Sequence, residues 1–161
     1  FTDEMYARAE ELGMDLNEVM TIASLIERET MVDSERAKVA SVIYNRLDIG
    51  MKLQIDATVQ YALGESKQFL TYADLEVKSP YNTYLHAGLP PGPICVPPKA
   101  CIEAVLNPAD GNYLYFSANP AFDGTNRFTT SFAEHQKLAR EYQKELTRRQ
   151  REAREGSQAM K

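Results

Sequence analysis

Apolar residues recur at helical spacing through most of the chain, and the polar residues between those runs mark helix starts and stops. Thr2, followed by an acidic first turn, predicts a helix over 3–12, with Gly13 supplying the left-handed residue that ends it. Asp15, with Glu18 three residues on, is a capping-box pattern that opens a second helix over 16–30. Its Val19, Ile22, Ala23 and Ile26 form one apolar arc. A break at 31–34 precedes a third helix over 35–47, where Val39, Val42, Ile43 and Leu47 keep the period and Gly50 follows. Residues 51–55 alternate briefly as an extended piece, and Asp56 is then placed to cap a short helix over 57–63 that Gly64 closes. Thr71 with Asp74 starts one further turn.

The pattern changes abruptly at 79–98, which holds six of the chain's eight prolines. Such a stretch can be neither regular helix nor central strand, so it reads as a long, proline-stiffened loop. A short helix over 99–106 stops at Asn107 and Pro108. The aromatic run 113–118 and the segment from Arg127 to Thr130, joined around Asp123 and Gly124, predict a β-hairpin. Ser131 and Glu134 make a second capping box, launching a final helix from 132 to near Arg149, after which residues 150–161 are expected to fray. The expected fold is α+β: a single, mainly helical domain spanning 1–161 with one small sheet.

Composition narrows the function. A chain of 161 residues with 43% hydrophobic content can build one sizeable core. A net charge of -5 argues against a nucleic-acid surface, which needs lysine and arginine gathered on one face. No apolar run approaches the roughly 18 to 20 residues needed to span a bilayer. The sequence begins at Phe1 and runs straight into helical pattern, so it reads as an excised piece. Cys95 and Cys101 have a spacing that permits a bridge across Pro97 and Pro98. His86 and His135 form no ligand-spaced pair with each other or with a cysteine, so neither a metal nor another cofactor is expected.

Candidate chemistry centres on the end of the second helix. Glu27 and Glu29 fall about 160° apart on a helical wheel, near opposite edges of the apolar arc, and spacing alone does not choose between them. A carboxyl at the rim of an apolar wall is a route to a general acid that keeps its proton near neutral pH; an ordinary solvated helix-end carboxylate fits the same spacing. Glycine-rich phosphate loops, a Gly-x-Ser-x-Gly elbow and His-Glu-x-x-His are absent from the sequence. A Cys95–histidine dyad lacks any helix N-terminus to activate the thiol. Tyr81, Asn82, Thr83 and Tyr84 place rings, an amide and hydroxyls in a row, the side-chain types that bind sugars and also those that build turns.

The strings Ala23-Ser-Leu-Ile-Glu27-Arg-Glu29-Thr30, Ser34-Glu-Arg-Ala-Lys-Val-Ala-Ser-Val42, Asn45-Arg-Leu47, Met51-Lys-Leu-Gln54-Ile-Asp56-Ala-Thr58 and Ser79-Pro-Tyr81-Asn82-Thr83-Tyr84 occur in this order, with Gly88-Leu-Pro-Pro-Gly-Pro-Ile94 beyond them. Together they resemble the endolytic murein transglycosylase, or YceG-like, family over roughly residues 16–146. The resemblance implies the catalytic domain of a bacterial, membrane-anchored enzyme that cuts within nascent peptidoglycan strands and leaves 1,6-anhydro-N-acetylmuramic acid ends. It implies that Glu29, second glutamate of Glu-x-Glu-Thr, is the catalytic one. The implied location is the extracytoplasmic face of the cytoplasmic membrane, beside cell-wall synthases, held by an N-terminal anchor outside this sequence. Gln54, Asp56, Tyr81, Asn82, Thr83 and Tyr84 are then candidates to line a lysozyme-like groove, with Leu89, Pro90 and Pro91 as its wall. Asp56 retains its competing role as a helix cap. The alternative class is a non-catalytic glycan- or partner-binding module in which Glu29 only ends a helix.

Overall fold

The computed structural model describes residues 1–65, 67 and 69–159, and its contacts divide the chain into two compact units, Phe1–Asn112 and Tyr113–Lys161. The first holds α1 (Asp3–Glu11), α2 (Leu16–Glu29), α3 (Arg36–Asp48), α4 (Asp56–Leu63) and α5 (Lys99–Leu106), with 3₁₀ turns at Asp33–Glu35 and Asp74–Glu76. The second holds an antiparallel hairpin, β1 (Tyr115–Ala118) and β2 (Asn126–Thr129), and α6 (Phe132–Ala159). The architecture is α+β and mainly helical.

Local chemistry accounts for the helix ends. The Thr2 hydroxyl accepts from the Met5 N–H, and Asp15 and Glu18 close their capping box in both directions. Helix α2 is buried from Thr21 through Ile26 and again at Val19, and it packs against α3, α4 and α5. A helix covered on so much of its circumference belongs to the centre of a core, and Val39, Ile43, Val59, Val105 and Leu106 of the helices packed on it are at 2% exposure or less. Gly64, at φ +74°, ends α4 in the left-handed region that glycine adopts freely.

Three segments differ from their sequence pattern. Residues 51–55 carry no strand: Gln54 sits at φ +51°, its N–H bonded to the Thr83 carbonyl at 3.2 Å, while Arg46 donates to the Lys52 and Leu53 carbonyls. These long-range bonds replace the ladder a strand would need. Asp56 is the first residue of α4, and Ile55 occupies the cap position without a side-chain cap bond, so the capping role expected of Asp56 is not what its carboxylate does. Helix α6 continues past Arg149 to Ala159, carried over the expected stop by ion pairs from Arg148 and Arg149 to Glu145 and from Arg148 to Glu152.

The proline-rich segment 79–98 contains no helix or strand, yet it is pinned at both ends. At its start the fully buried Asn82 donates to the Leu75 and Val77 carbonyls, 2.9 Å each, and accepts from the Tyr84 N–H. The buried Thr83 hydroxyl accepts from the Ile55 N–H at 2.8 Å and meets the Thr58 hydroxyl at 2.9 Å. Further along, Asn17 donates to the Pro91 carbonyl and the Ser24 hydroxyl accepts from the Ile94 N–H, so the loop lies along α2.

Replacing Asn82 by alanine leaves two carbonyls and one N–H without partners in a dry setting. The expected loss is about 3 kcal/mol of unfolding free energy, measured as a lower urea midpoint at unchanged slope. A loss below about 0.5 kcal/mol would mean that other contacts hold the loop start.

Candidate active site

The last turn of α2 directs its two glutamates to different neighbours. Glu27 accepts from the buried Cys101 thiol of α5 at 3.4 Å, and burial together with that bond pushes the thiol up to about 11. Cys101 is therefore a packed, protonated thiol. Cys95 is also free, and its thiol donates to the Ser24 carbonyl, so neither sulfur is spent on a bridge. Glu29, half-buried, faces the start of α4 instead.

The Glu29 carboxyl is raised to about 8. Its burial, which denies water to the charged form, is the largest cause; the nearby negative charge of Asp56 raises it further, and hydrogen bonding from the Ala57 N–H works the other way. Glu29 closes a helix whose Ile22, Leu25 and Ile26 are fully buried, so its own end of α2 lies at the edge of the core. The start of α4 provides one N–H donor and one repelling carboxylate. Near neutral pH the balance leaves Glu29 carrying its proton.

Asp56 is exposed and accepts a short hydrogen bond from the Tyr84 hydroxyl. Burial and the two carboxylates, Asp56 and Glu29, raise the Tyr84 hydroxyl, with Arg46 acting in the opposite sense, so Tyr84 remains a donor. Glu29, Asp56 and Tyr84 thus form one electrostatic group at the beginning of α4.

The other sequence candidates divide by burial. Gln54 is exposed on its left-handed turn. Tyr81 is half-buried, its ring 4.8 Å from that of Tyr61, and its hydroxyl lies 3.5 Å from where a Cβ on Gly92 would stand. Leu89 is half-buried and Pro90 buried, on the stretch that leads to the Asn17–Pro91 bond. Asn82 and Thr83 turn inward, with their side-chain polar atoms engaged in bracing the loop and the start of α4. The sequence reading did not single out Arg46, whose only outward sign is a cation on an otherwise apolar helix face. It also passed over Arg28 and Ala57, which line an open pocket of about 350 Å³ with Gln60, Tyr61, Gly64, Glu65 and Ile94. Among the described residues no cluster of histidine, cysteine or carboxylate side chains is placed to hold a metal.

The model of the YceG-like family matches residues 1–141. A Bacillus subtilis (strain 168) protein named endolytic murein transglycosylase is 45% identical over 129 residues, covering 80% of this chain and 35% of that protein. A Streptococcus pneumoniae (serotype 2) protein of the same name is 37% identical over 119 residues, covering 71% of this chain and 22% of its own length. The crystal structure of a putative YceG-like protein from Listeria monocytogenes aligns with a TM-score of 0.79 at 45% identity, over 84% of this chain and 44% of that one. The chain therefore spans less than half the length of each of these relatives.

The raised Glu29 carboxyl makes a stability prediction. Between pH 4.5 and about 8 the folded chain holds a proton that the unfolded chain releases, so this group's contribution is complete below pH 4.5 and is lost as pH rises through 8. Glu29→Gln cannot ionise. Its melting temperature relative to wild type should therefore climb from pH 5 to about pH 8 and level off above that, and a difference independent of pH would show that Glu29 titrates normally.

Proposed function

We propose that this chain, which belongs to the YceG-like family, is the catalytic part of a lytic transglycosylase that cleaves the β-1,4 bond between N-acetylmuramic acid and N-acetylglucosamine within peptidoglycan strands. The observation that carries this reading is the Glu29 carboxyl raised to about 8, a group still protonated where a general acid must work. The names of the relatives support murein as the substrate.

The chemistry needs one acid. Glu29 gives its proton to the glycosidic oxygen as the bond from that oxygen to C1 of the muramic residue breaks. The C6 hydroxyl oxygen of the same sugar attacks C1, and its proton passes to the Glu29 carboxylate, which is thereby restored. No water is consumed, and the product ends in a 1,6-anhydro ring. Ordinary glycosidases need a second carboxylate to act as base or nucleophile. Here the tethered C6 hydroxyl supplies the proximity that such a group would otherwise provide.

Gln54, Asp56, Tyr81 and Tyr84 are the groups proposed to orient the sugars, with Leu89 and Pro90 as an apolar wall. Asn82 braces the start of the proline-rich loop, Thr83 the start of α4, and Asn17 holds the end of the wall at Pro91. The Asp56 charge also suits a neighbouring oxocarbenium-like centre. That same proximity of Asp56 to Glu29 favours one second reading, hydrolysis, in which Asp56 activates water and the product carries a reducing end. The action proposed is extracytoplasmic, beside the synthases that extend the strands. Among the described residues no helix is long and apolar enough to cross a membrane.

Mass spectrometry of uncrosslinked strands incubated with the chain should reveal anhydro-ended fragments, and Glu29→Gln should cut their rate of formation by about 10² to 10⁴. Reducing ends would establish hydrolysis; binding without fragments would indicate a glycan-binding module. The rate should fall as pH rises past about 8, where Glu29 loses its proton. Asp56→Asn removes a repelling charge and should move that fall to lower pH. A pH profile unaltered by Asp56→Asn would remove Asp56 from the acid's surroundings.

A further inference from the structure

The pocket of about 350 Å³ between the end of α2, the exposed side of α4 and Ile94 is a second feature of the same face. Ala57 lines it, and the Ala57 N–H is the donor toward the Glu29 carboxylate, so the pocket begins within one hydrogen bond of the proposed acid. Two of its walls offer an aromatic ring and an amide. Tyr61 is 47% exposed and braced from behind by the Tyr81 ring, which leaves a supported aromatic surface facing outward. Gln60 uses its side-chain N–H on the Lys67 carbonyl at 2.8 Å, leaving its amide oxygen as an acceptor.

The third wall carries charge. Arg28 is exposed and, among the described residues, forms no ion pair or hydrogen bond. The acidic group on the same rim, Glu65, lies 4.0 Å from the Lys67 ammonium, which itself pairs with Asp74 at 3.0 Å, and makes no ion pair with Arg28. A cation at the last turn of α2 also complements the helix dipole, a role that any cation would fill without a pocket. What the dipole does not explain is a guanidinium beside an aromatic platform, one residue from Glu29.

We propose that this pocket is a subsite for a carboxylate-bearing sugar of the strand, in which Tyr61 supports the ring and the Arg28 guanidinium pairs with the carboxylate. The proposal rests on the functional reading above and specifies its substrate: an acidic glycan. Two carboxylates could fill the role, the lactyl group of a bare muramic residue or a carboxylate of its stem peptide, and the geometry of a planar fork suits either.

The test measures binding by titration calorimetry, using the Glu29→Gln chain so that strands stay intact. Three uncrosslinked preparations are compared: peptide-bearing strands, peptide-free strands with free lactyl carboxylates, and peptide-free strands with those carboxylates converted to methylamides. Adding Arg28→Gln should weaken binding about tenfold for one or both acidic preparations and leave the methylamide strands unchanged. The preparation affected identifies the carboxylate. Arg28→Lys should recover part of the loss, and Tyr61→Ala should weaken all three alike. Equal affinity with and without Arg28, or an equal loss on all three preparations, would overturn the subsite while leaving the acid and its reaction intact, provided wild type still cleaves. If no preparation binds and wild type cleaves none, the functional reading falls and the subsite falls with it.

Discussion

Everything at the proposed site depends on helix α2 being buried along six consecutive residues, Thr21 through Ile26. A helix enclosed that far has little freedom to rotate or slide, because each shift would open voids or drive side chains into close-packed neighbours. Its last turn is therefore a fixed platform. Glu27 and Glu29 project from it in different directions, and the difference in their surroundings sets their chemistry. One carboxylate receives a thiol hydrogen; the other is half-buried, partly withdrawn from water, with a second negative charge nearby.

The pairing of Glu29 with Asp56 shows how one helix start can serve two opposite needs. An N-terminus ordinarily favours negative charge through its free N–H groups. The Ala57 N–H does act on Glu29 in that sense, yet burial and Asp56 outweigh it and the carboxyl stays protonated. Asp56 is exposed to solvent and receives the Tyr84 hydroxyl, whereas Glu29 is half-buried and raised. Two acids a short distance apart in different solvation are a recurrent way of dividing protonation states between neighbouring groups.

Much of this was legible in the sequence, because helix boundaries are written in local chemistry. Thr2, the Asp15–Glu18 box, Gly64 and the Asn107–Pro108 stop each act through neighbours three or four residues away, and periodicity marks the faces between them. The motif around Glu29 could be read as well. What the spacing left open was the choice between Glu27 and Glu29, since that choice depends on α5 and α4, helices far away in sequence. Asn82 and Thr83 illustrate the same gap. A polar residue in a proline-rich loop looks like a ligand-binding group, and only the fold reveals that Leu75, Val77, Ile55 and Thr58 already occupy it. Arg46 is the converse, a cation hidden in the core to satisfy carbonyls of a turn whose shape the pattern misread as extended.

The proline-rich loop completes the argument, because a groove is useful to an acid only if the two keep their distance. Prolines narrow the conformations open to 79–98 before folding and so reduce the entropy lost in holding one of them. That stiffness would be of little value on a drifting tether. The loop is instead tied to the same helix that carries Glu29, through Asn17 to the Pro91 carbonyl and through Ser24 to the Ile94 N–H, and its start is tied to α4 through Thr83. Acid, helix start and wall thus share one rigid reference. In the reaction proposed above, whose nucleophile belongs to the substrate, correct placement of the sugar relative to a single carboxyl would be the main task left to the protein, and a misplacement of about 1 Å can cost roughly a hundredfold in rate. On that proposal the buried polar atoms of Asn82 and Thr83 serve the chemistry without touching the substrate, by holding the loop start and the beginning of α4 against which Glu29 is set.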